Sequence, residues 1–238
     1  MSCILHIETS TSVCSVALSQ DGVLLYDEAD TKGPSHAQVL APFVENAVSF
    51  ADSHAIPIDA VAVSKGPGSY TGLRIGVSTA KGVAYGRNAS LLSVPTLKLL
   101  TVPTLLHADL PDNALLCPMI DARRMEVYCA VYDRALKEIT PTQALVVEED
   151  AFADLLDKHP IYFMGNGADK CKDVITHPNA HFIEGVMPLA KNMIPLAEMA
   201  LAREETEDVA YFEPFYLKEF VATKSKKLLL ERKQETTV

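Results

Sequence analysis

Two carboxylates stand where short apolar runs give way to polar turns: Glu8 in IETSTSVCSVAL and Asp121 in MIDARRMEVYCAV. A carboxylate at such a hairpin can hold a metal-bound water beside a nucleotide phosphate. Arg123 and Arg124 follow Asp121 and could pair with phosphate or with the acids of a partner. Phosphate binding also needs close backbone approach, which favours glycine, and neither turn contains one. Glu8, Thr9, Ser10, Asp121 and Arg123 therefore read either as a vestigial nucleotide loop or as ordinary turn and cap residues.

Glycine is concentrated instead in SKGPGSYTGLRIGVSTAKGVAYG, residues 64–86, which holds six of the chain's eleven. A phosphate loop of the form G-x-x-x-x-G-K-[ST] is excluded, because Gly68 and Gly72 enclose three residues and no lysine follows. The dinucleotide pattern G-x-G-x-x-G fits at Gly66 and Gly68 but meets Thr71 at its third glycine. An anion at the helix N-terminus stays open as a reading. The spacing points to packing. Gly72, Gly76, Ala80 and Ala84 recur every four residues as one smooth strip, and Gly82 and Gly86 repeat the step on a neighbouring face. An interior helical glycine costs about 1 kcal/mol relative to alanine, which close approach of another backbone would offset. The strip faces either the preceding helix of the same chain or a second chain. In the second case Leu73 and Val77 supply apolar contact, with Tyr70, Arg74 and Lys81 at the rim.

Other chemistry is sparse. His177 and His181 in HPNAH have helical spacing, but Pro178 and Asn179 make a turn of the segment. The remaining histidines are isolated. No G-x-S-x-G elbow and no Cys–His pairing are visible. No catalytic residue, metal or cofactor is assigned.

The elements that must carry these residues come in two similar sets. CILHIET, SVCSVALS and GVLLYDEA read as strands, with Gln20-Asp21-Gly22 as a hairpin signal. A helix follows from a Ser35 cap, with Leu40, Phe43, Val44, Ala47 and Ala51 at helical spacing and Pro42 predicting a kink or late start. Then come the strand DAVAVSKGPG, a helix over about 71–86, the strand LLSVP and a helix near 97–107. A second strand triplet appears in ALLCPMID, MEVYCAVYD and TQALVVEE. It is followed by helical AFADLLDK, the strand IYFMGNG and helical NMIPLAEMALARE. The division is an α/β half over 1–108, a second over 109–215, and a closing segment with a basic tail over 216–238.

The 238 residues are 48% hydrophobic with a formal net charge of -10, enough apolar content for a sizeable core. Such acidity disfavours nucleic-acid binding by the chain alone. Five cysteines, none in a Cys-x-x-Cys pair, suit a reducing compartment. The N-terminus lacks a basic, apolar leader and no run is long enough to span a membrane, so a cytoplasmic location is expected. The tail residues Lys218, Lys224, Lys226, Lys227, Arg232 and Lys233 read as a locally basic, solvated end, or as a contact to phosphate.

The segment SKGPGSYTGLRIGVSTAKG resembles the signature of the TsaB (YeaZ) family of tRNA threonylcarbamoyladenosine biosynthesis proteins. IETSTSVCSVAL, VPTLKLL, DARRMEVYCAVYD and PFYLKE resemble its other blocks in the same order. The resemblance implies the actin, sugar-kinase and Hsp70-like (ASKHA) fold of two related α/β halves. It implies a non-catalytic partner of the paralogous enzyme TsaD, acting with the ATPase TsaE. Together they place threonylcarbamoyl on N6 of an adenosine beside the anticodon of tRNAs, with tRNA bound only by the complex. The catalytic paralogue carries H-x-x-x-H in its first half, where this chain has only His107 in KLLTVPTLLHADL. Family members pair through two helices, which here are 35–50 and 69–86. The implied interface comprises Ser35, His36, Leu40 and Phe43 on the first. On the second it comprises Ser69, Tyr70, Gly72, Leu73, Arg74, Gly76, Val77, Thr79 and Ala80. A homodimer through the same surface is expected when the chain is alone. Glu8 stands where the fold's first hairpin usually has aspartate. The alternatives are an ASKHA-fold kinase or ATPase using Glu8 and Asp121, and the metallopeptidase that older glycoprotease names suggest.

Overall fold

The computed structural model describes residues 2–33 and 36–218. The chain opens with an antiparallel meander of β1 (Cys3–Glu8), β2 (Cys14–Gln20) and β3 (Val23–Asp30). Asp21 and Gly22 join β2 to β3 with φ of 49° and 77°, the left-handed pair that a tight hairpin requires. After α1 (His36–Ser53), strand β4 (Ala60–Gly66) lies parallel to β1; after α2 (Tyr70–Arg87), β5 (Ser90–Pro95) lies parallel to β4. The sheet order is β3-β2-β1-β4-β5. β1 and the first six residues of β2 are fully buried, which is why their sequences read as unbroken apolar runs. β3, at the edge, mixes exposed and half-buried positions.

Helix α3 (Thr96–His107) leads to a second meander of β6 (Leu115–Asp121), β7 (Glu126–Tyr132) and β8 (Glu138–Val146). The single turn α4 (Ala153–Leu156), β9 (Ile161–Met164) and β10 (Ala180–Ile183) complete a sheet of order β10-β9-β6-β7-β8. Read from β8, that order is third, second, first, fourth, fifth, as in the first sheet. The duplicated pattern is the two-half ASKHA architecture.

Helix α1 buries His36, Leu40, Val44, Ala47 and Ala51 and runs through the exposed Pro42, so it does not start late. α1 and α2 cover one face of the first sheet. The other face, with Ile4, Ala60, Ala62 and Leu92, is covered by α5 (Ile194–Ala202). From α5 onward the chain returns to the first half: Glu207 N donates to Leu91 O at 2.8 Å and Phe215 N to Lys65 O at 2.6 Å. Apolar contact set the destination, because Ala197 and Ala200 have a flat apolar sheet face to cover. The tail from residue 219, including the lysines at 224, 226, 227 and 233 and Arg232, lies outside the described residues, as does Ser35.

All five cysteines are free and buried. Burial pushes the thiols of Cys3 and Cys14 up, to about 11 and about 12, and that suits inert core residues. Among the described residues no helix is long and apolar enough to cross a membrane.

Candidate functional site

The first hairpin is enclosed by α2. Thr9 Oγ1 donates to Gly72 O at 2.8 Å, and Ser69 N donates to Ser10 O at 2.6 Å. Ser69 caps the helix by accepting from Gly72 N at 3.2 Å. The glycines make this seat possible. A Cβ on Gly68 would lie well inside contact distance of Ser10 O. One on Gly72 would strike Thr9 O, and one on Gly76 would strike Thr9 Oγ1. The turn and the helix N-terminus spend their polar groups on each other. The anion reading of this loop therefore loses its donors at Ser69 and Gly72.

Glu8 ends β1 fully buried, its Oε1 accepting from Ser10 N at 2.5 Å and its Oε2 without a partner among the described residues. Burial pushes its carboxyl up to about 7. The nearby Ser10 and Ser64 hydroxyls oppose that shift, though neither makes a hydrogen bond of ordinary geometry. Thr9 and Ser10 are equally buried.

The second hairpin repeats the plan with a different lock. Asp121 accepts from Arg123 N at 3.0 Å and pairs with Lys170. Lys170 Nζ also donates to the carbonyls of Arg124 and Glu126, each at 2.7 Å. One ammonium thus holds a turn in which Arg123 and Arg124 both have positive φ. Gly165 and Gly167 stand at the end of β9 as Gly66 and Gly68 stand at the end of β4. A Cβ on Gly167 would be 2.8 Å from the carbonyl carbon of Ile120. The second glycine of the G-x-G at the end of each half's fourth strand, Gly68 or Gly167, admits the backbone where that half's first hairpin begins. The repetition of G-x-G at 66 and 165 was the available sequence signal for this role. Beside the first hairpin lies a cavity of about 80 Å³, lined by residues that include Ser12, Thr31 and Asn166. That is well below the roughly 300 Å³ at which small-molecule pockets begin.

The strip of small residues on α2 faces inward. Gly72, Leu73, Gly76, Val77 and Ala80 are buried in the chain itself, as are His36 and Leu40 on α1. His36 Nε2 lies 3.1 Å from Val13 O. Of the two neighbours considered for this strip, neither the preceding helix nor a second chain lies against Gly76; Thr9 of the first hairpin fills the space there. Phe43 and Thr79 are half-buried. Tyr70 and Arg74 are on the surface, with Arg74 donating to Tyr70 Oη at 2.8 Å and lying over its ring. The outward face of α2 carries Thr71, Arg74, Ser78, Gly82, Tyr85 and Gly86. Among the described residues nothing lies within 4 Å of a Cβ placed on Gly82 or Gly86, and Tyr85 is 84% exposed. Beside this face run residues 207–218. Lys81 donates to the carbonyls of Ala210 and Phe212, and the Tyr216 ring lies 4.9 Å from that of Tyr70.

The histidine pair does not converge. His177 lies 3.4 Å from Asp157, whereas His181 stacks on Tyr162. Among the described residues no three of His, Cys, Asp and Glu are grouped to hold a metal ion.

Residues 33–226 match the family model described as TsaD: tRNA N6-adenosine threonylcarbamoyltransferase. The chain is 31% identical over 229 residues to the Escherichia coli tRNA threonylcarbamoyladenosine biosynthesis protein TsaB, covering 93% of this chain and 96% of that one. It is 29% identical over 176 residues to the Bacillus subtilis protein of the same name, covering 72% and 74%. The crystal structure of YeaZ from Pseudomonas aeruginosa superposes with a TM-score of 0.76 at 27% identity, over 91% of this chain and all of that one. A second Pseudomonas aeruginosa structure, described as similar to peptidase YeaZ, gives 0.78 at 27% identity over 92% of this chain and all of that one. With the duplicated sheets and the G-x-G hairpin seats, these likenesses make the chain a member of the TsaB (YeaZ) family of ASKHA-fold proteins.

Proposed function

We propose that this chain takes part in threonylcarbamoyladenosine formation on tRNA as a non-catalytic subunit that docks on a TsaD-type transferase. The observation that carries the reading is the outer face of α2. Gly82 and Gly86 each cost the helix about 1 kcal/mol. Among the described residues nothing lies within 4 Å of a Cβ placed on either. A second backbone lying along Ser78, Gly82 and Gly86 accounts for them, with Tyr70, Arg74 and Tyr85 as surrounding anchors. The docking surface is thus the outward side of the two N-terminal helices rather than the inward strip. TsaE and tRNA join only in the assembly, in keeping with the net charge of -10. In the absence of the transferase, a second copy of this chain covers the same face.

The test is a reconstitution with purified transferase, TsaE, tRNA, threonylcarbamoyl donor and ATP. Product is expected with all components, a strong reduction on omitting this chain, and none from this chain alone. Full activity without it would refute the proposal. The kinase reading at Glu8 and Asp121 predicts Mg-dependent ATP binding by the isolated chain, which calorimetry decides. The peptidase reading predicts stoichiometric zinc or iron after purification, which metal analysis decides.

A further inference from the structure

We propose that a second cavity, on the face of the first sheet opposite α1 and α2, binds a small organic phosphate ester, with Lys65 and Lys98 as its phosphate ligands. The cavity measures about 380 Å³ and lies between the ends of β4 and β5, the start of α3 and the end of α5. β4 and β5 are parallel, and the carboxyl ends of parallel strands are the usual ligand position in open α/β sheets.

Its wall brings two half-buried lysines together. In this acidic chain Lys170, Lys172, Lys191, Lys218, Arg87 and Arg134 each have a carboxylate partner. Lys65 and Lys98, both half-buried in the cavity wall, have none among the described residues. Lys98 Nζ lies 5.8 Å from the centre of the Tyr132 ring. The same wall carries Glu205 and Glu207, against Lys65, Lys98 and Arg203. Glu207 accepts from Ser93 Oγ at 2.5 Å and is held by its backbone to Leu91, while Glu205 lies 3.8 Å from Arg203. Two half-buried lysines, with a loosely paired guanidinium beside them, offer an anion charge-assisted hydrogen bonds. The first turn of α3 adds to this, because its N-cap is Pro95 and no side chain caps it. The volume exceeds what inorganic phosphate fills and falls within the range of small organic ligands. Leu196 and Met199 give the ligand body an apolar wall.

The experiment titrates the full chain, without magnesium, with inorganic phosphate, ribose 5-phosphate and adenosine 5′-monophosphate, followed by amide chemical shifts. At least one ester should saturate with shifts centred on Lys65, Val94 and Lys98, and should bind more tightly than inorganic phosphate. Lys65→Ala and Lys98→Ala should each weaken binding about tenfold or more, the worth of one charge-assisted hydrogen bond. Lys98→Arg should retain binding, and Gly82→Leu, on the opposite face, should leave it unchanged. Circular dichroism checks that each variant is folded. The proposal is overturned if neither ester saturates, if inorganic phosphate binds as tightly as both esters, or if the folded lysine variants bind like the parent.

Discussion

Thr9 on the first hairpin donates its hydroxyl to the carbonyl of Gly72, 2.8 Å away, and occupies the space that a side chain at Gly76 would need. This one contact turns a glycine-rich helix into the lid of its own sheet's first turn. It divides the helical glycines into an inner set at 72 and 76 and an outer set at 82 and 86.

The two sets respond oppositely to alanine. Gly76→Ala drives a Cβ into Thr9 and is expected to destabilise the chain by about 1–3 kcal/mol, as overpacking does. Gly82→Ala meets open space and is expected to stabilise it by up to about 1 kcal/mol. Urea unfolding midpoints test both. Thr9→Ala combined with Gly76→Ala should be less harmful than the sum of the two, since they share one contact.

Two buried groups on β1 oppose each other in pH. Burial raises Glu8 to about 7 and lowers His6 to about 3. As pH falls from about 7 to 4.5, the folded state takes a proton at Glu8 that the unfolded chain does not, so stability rises. As pH falls below about 6.5 toward 3, the unfolded chain takes a proton at His6 that the folded state refuses, so stability falls. Glu8→Gln should remove the first effect. Its urea midpoint, relative to the parent, should drop progressively between about pH 6.5 and 4.5.

Lys170 should be a structural lock rather than a phosphate ligand. It is bonded to Asp121 and to two carbonyls of the second hairpin. Lys170→Met is expected to cost about 1–3 kcal/mol, the range for hydrogen bonds to a charged group. Faster amide exchange confined first to residues 122–126 would mark the effect as local.

Much of this was legible before any coordinates. Fully buried strands show as continuous apolar runs, and the Asp21-Gly22 turn is encoded in two residues. Periodicity revealed the strip at 72, 76, 80 and 84 but not its neighbour, because a helical repeat fixes a face and not what the face meets. Thr9, 63 residues from Gly72, carries no local sign of its role. Lys170 is likewise 49 residues from the Asp121 it holds. The return of 207–218 to Leu91 and Lys65 depends on which sheet face remained uncovered, a property of the assembled first half.

The most direct measurement of the docking claim is sedimentation of an equimolar mixture with the transferase for the parent, Gly82→Leu and Gly82→Ala chains. Each variant is checked first for unaltered unfolding cooperativity. The parent is expected to sediment as a heterodimer, Gly82→Leu as separate folded chains, and Gly82→Ala with affinity between the two. A folded Gly82→Leu chain that pairs as tightly as the parent would contradict the assignment of this face.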